Sequence, residues 1–247
     1  TVHSVRSGEQ PLNFKRDKQI VLVDFGTNLA KGDTVSVTFR YDGQIDNSFC
    51  YLDIPPEVLQ ASNKKFLFNI DKQYSFQTKD YLMLTPETYW YPRAGTSYSD
   101  KNPDWQQTYF SNYRLKVKPL PGLVPISQGE EGVYSFKGDF PSQTLSLLIG
   151  DYQQKSVYAD SILYSVWHLK DHDYFTASFD SIHDTIPWLI RNVKDQLARQ
   201  YKLDYPFKRF SIIEVPVQFA SYERAWSQAQ ETVQPEMVLF PEKGAIF

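Results

Sequence analysis

The chain has 247 residues, 41% of them hydrophobic, and a formal net charge of −3, which is enough to bury a core without disulfide staples. Its 26 Lys and Arg residues are scattered along the chain, so no basic field exists to hold a phosphate backbone, and nucleic acid is not expected as a partner. No apolar run approaches the roughly 20 residues that span a bilayer, the amino terminus lacks a charged-then-apolar leader, and the single Cys50 has no second cysteine to pair with and reads as a small buried hydrophobe.

The 17 Tyr and 17 Phe are residue types that suit half-buried pleated surfaces. Ile20 to Phe25 is the first candidate strand. Thr34 to Tyr41 alternates polar and apolar without a fault between the turn signals Lys31-Gly32-Asp33 and Asp42-Gly43, the pattern of a strand with one buried face. Asn112 to Lys118 repeats the alternation and stops at Pro119, which has no N–H to donate. Thr144 to Ile149 and Ser156 to Leu169 add further strands, and Pro121-Gly122, Gln128-Gly129 and Lys137-Gly138-Asp139 are turns between them. Many short strands at this spacing predict stacked antiparallel sheets, a β-sandwich over residues 1–170.

The periodicity then changes. Ile186, Leu189, Ile190, Val193 and Leu197 follow helical spacing, with Asp184 or Thr185 to cap the first turn and Pro187 inside it, so a helix is expected through about Tyr201. Asp204 to Phe207 breaks it, Phe210 to Val215 reads as a strand ended by Pro216, and a short helical stretch after Tyr222 precedes a strand at Met237 to Phe240. Residues 171–247 are therefore expected as an α/β unit, giving a mainly β fold with an α/β start to a second domain. With a strand-rich beginning and an abrupt Gly244-Ala245-Ile246-Phe247 end, the chain reads as part of a longer polypeptide.

Catalytic chemistry is sparse. The histidines are His3, His168, His172 and His183. His168 and His172 are four apart, but Tyr164 to Leu169 alternates like a strand, so a strand-end histidine and a loop histidine are expected rather than two ligands for one ion. No serine sits in a nucleophile elbow, and Cys50 has no base near it in sequence. Glu223, Glu231, Glu236 and Glu242 cluster late in the chain and read as a solvated acidic surface. Tyr89-Trp90-Tyr91-Pro92 reads as a turn packed on the sandwich, the other readings being a surface that stacks on a sugar or a peptide, and for a sugar a flat platform that Trp105 would share.

Several stretches, taken in order, resemble the aminopeptidase N and leukotriene A4 hydrolase family of zinc metallopeptidases. They are Lys31 to Thr34 with Tyr41-Asp42-Gly43, then Trp90-Tyr91-Pro92, Ile126-Ser127-Gln128-Gly129 and Leu147 to Tyr152. Asp204 to Phe210 with Ile213-Glu214-Val215-Pro216 resembles the start of that family's catalytic domain, and Gln228-Ala229-Gln230-Glu231-Thr232 stands where it has Gly-Ala-Met-Glu-Asn. The resemblance makes Glu231 the candidate for binding a substrate's free α-amino group, although only Ala229 and Glu231 match that motif. No zinc ligand carries over, because the family's His-Glu-x-x-His helix would lie beyond Phe247. The expectation is therefore no catalytic residue, no metal ligand and no cofactor in this chain, zinc being reserved for a longer parent.

Gln230 to Gly244 resembles a bacterial subgroup in which such a domain is fused to an ABC transporter permease. That resemblance implies a non-catalytic, extracytoplasmic, peptidase-like domain of a membrane transport protein, whose partners are the rest of its chain, membrane spans included, with a peptide as a candidate ligand. The alternative is the front part of an active zinc-dependent aminopeptidase.

Overall fold

In a computed structural model of the chain, the described residues are 1–17, 20–51, 54–63, 73–94, 109–173, 176–222 and 232–242, without the side chains of 60–63. The first strands are β1 (Val2–Ser7), β2 (Gln10–Pro11), β3 (Asn13–Asp17), β4 (Ile20–Asp24) and β5 (Thr38–Tyr41). They form a three-stranded sheet in the order β2-β1-β5 and a separate β3-β4 ribbon, both antiparallel. The strand expected from Thr34 begins only at Thr38, because β1 pairs residues 38 to 41 and then turns away at Ser7 into its own hairpin with β2. Alternation without a partner strand leaves residues 34–37 outside the sheets.

After α1 (Pro56–Asn63) come β6 (Phe76–Gln77), β7 (Leu82–Leu84), β8 (Leu115–Lys116), β9 (Val124–Ser127), β10 (Ser135–Phe136) and β11 (Leu147–Gly150). An antiparallel sheet in the order β6-β7-β11-β9 and a β8-β10 pair result. Every strand pair through residue 150 is antiparallel among the described residues, and the fold is mainly β, as composition and spacing indicate.

One residue after β11 the chain enters a second sheet, built from β12 (Tyr152–Ala159), β13 (Ile162–Leu169), β14 (Arg209–Val215), β15 (Val233–Gln234) and β16 (Met237–Pro241). Its order is β12-β13-β14-β16-β15, with β13, β14 and β16 parallel to one another. The two-residue loop Asp160-Ser161 joins β12 to β13 with φ of 50° and 64°, the primed turn that matches strand twist. Strands on both sides of residue 170 thus share one sheet.

Between β13 and β14 lie α2 (Phe179–Ile182) and α3 (Ile186–Tyr201). The helix expected from Ile186 to Tyr201 has those bounds, with Pro187 in its first turn. Its capping differs from expectation. Thr185 occupies the N-cap with αR angles and makes no side-chain cap bond, because the chain arrives already helical from α2 and does not supply the extended geometry a capping side chain needs. Arg191 binds Asp160 at 2.9 Å, Lys194 binds its other oxygen, and Lys155 binds Asp180 at 2.6 Å, so the helices are tied to the β12–β13 hairpin. The Lys194 hydrogen bond is the main cause holding the Asp160 carboxyl below its ordinary range. No helix among the described residues is long and apolar enough to cross a membrane.

The principal core spans both sheets. Met83, Ile126 and Leu148 of the first meet Tyr152, Ile213, Val215, Met237 and Leu239 of the second. A smaller cluster holds Cys50, Tyr51 and Ile54 against Tyr74 and Tyr222, which places the thiol of Cys50 as packing material.

Candidate functional site

Parallel strands bring successive chain segments to the same edge, and side chains just beyond the carboxyl ends of such strands converge. Three do so here. His172 follows β13, Glu214 is the penultimate residue of β14, and Glu242 follows β16 directly. The structure brings together residues that lie 42 and 28 positions apart in sequence, with one donor atom from each inside a 4.8 Å span. His172 Nδ1 is 2.9 Å from Glu214 Oε1 and 3.6 Å from Glu242 Oε2.

Each carboxylate divides its two oxygens. Glu214 Oε2 accepts the backbone N–H of Leu169 at 2.6 Å, and Glu242 Oε1 accepts that of Val217 at 2.9 Å. The remaining oxygen of each faces His172. The Glu214 side chain is 1% exposed, whereas His172 and Glu242 keep 34% and 21%, so the cluster has a buried floor and an open side. Beneath it the Tyr152 hydroxyl donates to the Glu214 carbonyl at 2.8 Å and meets the Tyr81 hydroxyl at 3.2 Å. Burial pushes the Tyr81 phenol well above its usual range, and the charges of Glu214 and Glu242 add to that.

His168 takes no part. It is buried in β13, with Nδ1 3.0 Å from the Leu169 carbonyl, a strand-end histidine beside a loop histidine. Glu236 and Glu242 correct the reading of a solvated acidic surface. Glu236 is 6% exposed, at the positive-φ turn from β15 to β16, where it accepts the Gly129 N–H at 2.6 Å. Desolvation raises its pKa against the lowering effect of that bond and of Arg209. Sequence reasoning missed both because spacing reports faces of one element, and other elements bury Glu236 and partly cover Glu242.

Near Glu236, at the opposite end of β14 and β16, Gln128 donates to Gln234 at 2.6 Å and Gln234 donates to Ser146 at 2.6 Å. Ser146 N in turn donates to Gln128 Oε1 at 3.0 Å. This buried amide network joins the two sheets, and a pocket of about 270 Å³ opens beside it between Tyr113, Phe140, Phe207 and Glu236. Glu231, the residue expected to bind an amine, lies outside the described residues, as do Glu223 and Trp105. Trp90 and Tyr91 are partly buried and meet edge-on at 80°, and Trp90 Nε1 is pinned to the Leu145 carbonyl at 3.2 Å. They do not form the coplanar platform that stacking on a sugar requires.

No family model and no curated protein matches the sequence. Solved structures do resemble the fold. An M1 zinc metallopeptidase from Deinococcus radiodurans superposes with a TM-score of 0.60 at 12% identity, over 98% of this chain and 50% of its own length. Aminopeptidase A from Legionella pneumophila, solved with aspartic acid, gives 0.56 at 12% identity, over 97% of this chain and 25% of its own. A two-domain M1 zinc metallopeptidase variant bound to L-tryptophan gives 0.55 at 12% identity, over 87% and 46%. The chain spans half the length of the Deinococcus protein and a quarter of the Legionella one. At this identity the likeness is one of fold: the chain has the mainly β architecture of M1 zinc metallopeptidases, over part of their length.

Proposed function

We propose that this chain is a non-catalytic, metallopeptidase-like domain of a bacterial membrane transport protein of the ABC permease type, displayed on the extracytoplasmic side, where it binds a peptide or a partner segment. The observation that carries this reading is the likeness of Gln230 to Gly244 to a bacterial subgroup whose peptidase-like domain is fused to an ABC transporter permease. The fold, which is that of M1 zinc metallopeptidases over half the length of the Deinococcus protein, supports the peptidase-like part of the reading. Glu231 is the residue proposed to meet the free amine of a bound peptide. The remainder of its own polypeptide is the proposed docking partner, and the half-exposed apolar residues of α3, Leu189, Val193 and Leu197 at 45%, 57% and 47%, offer it a surface.

The test uses the protein as its source cells make it. Fractionation is expected to find it with the membranes, cleaved by protease added to intact spheroplasts, and inert toward amino-acid anilides after purification in detergent. Recovery in the soluble fraction defeats the transporter reading. Saturable anilide hydrolysis that a chelator abolishes defeats the non-catalytic reading in favour of an active zinc aminopeptidase.

A further inference from the structure

We infer that His172, Glu214 and Glu242 form a binding site for one divalent transition-metal ion, zinc being the fitting probe. The inference departs from the sequence expectation of no metal ligand, and it does not depend on the proposed function, because its readout is binding rather than location or turnover.

Distances come first. Zinc binds imidazole nitrogen and carboxylate oxygen at about 2.0 to 2.2 Å, so two ligand atoms of a tetrahedral site stand roughly 3.4 Å apart. The 2.9 Å and 3.6 Å separations of His172 Nδ1 from the two carboxylate oxygens bracket that value, and small side-chain movements reach it.

Charge comes second. Two carboxylates facing one imidazole leave a net charge of −1 even when the imidazole is protonated, and one of those carboxylates is 99% buried, its side chain being 1% exposed. A divalent ion on a neutral imidazole and two carboxylates brings the sum to zero.

Orientation comes third. The Leu169 and Val217 N–H groups each hold the outer oxygen of one glutamate and leave the inner oxygen toward the shared point, the supporting arrangement by which outer hydrogen bonds fix metal ligands. The backbone donors belong to the same strand ends as the ligands, so the site is set by the sheet itself. One nitrogen and two oxygens suit zinc and its first-row neighbours better than calcium or magnesium, which take oxygen alone. His172 and Glu242 keep enough exposure for the ion to enter and for water to complete its coordination.

The experiment is calorimetric titration of Zn²⁺ into the chelator-stripped 247-residue chain, repeated with Mg²⁺. One Zn²⁺ per chain is expected, with Mg²⁺ at least tenfold weaker. His172→Ala and Glu242→Gln are each expected to lower zinc affinity by about tenfold or more, whereas His183→Ala leaves it unchanged. Glu242→Gln keeps an oxygen for the Val217 N–H and so guards against loss of fold, with circular dichroism as the check. Absence of saturable binding overturns the site. Binding that survives both ligand substitutions also overturns it, by placing the ion elsewhere.

Discussion

The amino-terminal ribbons and the five-stranded sheet are made of similar residues and meet opposite fates. In β4 four of the five residues are apolar, yet Leu22 remains 60% exposed, and across β1 to β5 only Val5 is fully buried. In β14 and β16 the same residue types give Ile213, Val215, Met237 and Leu239, none more than 2% exposed. The difference is not propensity. A strand's apolar face is buried only when another layer covers it, and among the described residues the core between the β6-β7-β11-β9 sheet and the β12-to-β16 sheet supplies that layer for the second region.

The largest effect that would break this contrast concerns Leu148, which is 0% exposed at the centre of the shared core. Leu148→Ala is expected to cost about 3 to 5 kcal/mol in denaturant unfolding. Leu22→Ala is expected to change stability by no more than about 0.5 kcal/mol, and comparable losses at the two positions would refute the contrast.

Next is Gly129, which has φ of 71° and whose added Cβ would lie 2.2 Å from the Lys137 carbonyl oxygen. Gly129→Ala is expected to cost roughly 2 kcal/mol or more, from backbone strain and displaced backbone, with thermal melting as the measure. A smaller cost, about 1 to 3 kcal/mol, is expected for Gln128→Ala, which strips partners from Gln234 and from the Ser146 N–H and so loosens the joint between the two sheets.

The smallest effect is a pH dependence. The folded-state pKa of Glu236 is raised, chiefly by desolvation. Its contribution is therefore complete below the ordinary glutamate pKa and is lost as pH rises through the raised value. Glu236→Gln is accordingly expected to melt higher than the parent at pH 8, with the gap closing toward pH 4. A gap that widened toward pH 4 would reverse the sign.

Local signals reported the elements whose identity is local. Helix α3 shows its bounds in the spacing of Ile186 to Leu197, and Phe210 to Val215 shows a strand ended by Pro216. Partner choice was not legible. Nothing in Tyr164 to Leu169 says that β13 pairs antiparallel with β12 on one side and parallel with β14 on the other. The same gap hid the metal-ligating cluster, since His172, Glu214 and Glu242 become neighbours only through that parallel order. What would have pointed there is the position they share, each at the carboxyl end of a strand that precedes or follows a crossover.

The central proposal is that this domain, with the fold of a metallopeptidase over part of its length, binds metal at the three-residue cluster without turning over substrate. The most direct measurement is release of the chromophore from L-leucine p-nitroanilide by the purified chain loaded with equimolar zinc. The account predicts no release above the zinc-containing buffer. Hydrolysis that saturates with substrate and disappears in His172→Ala would contradict it.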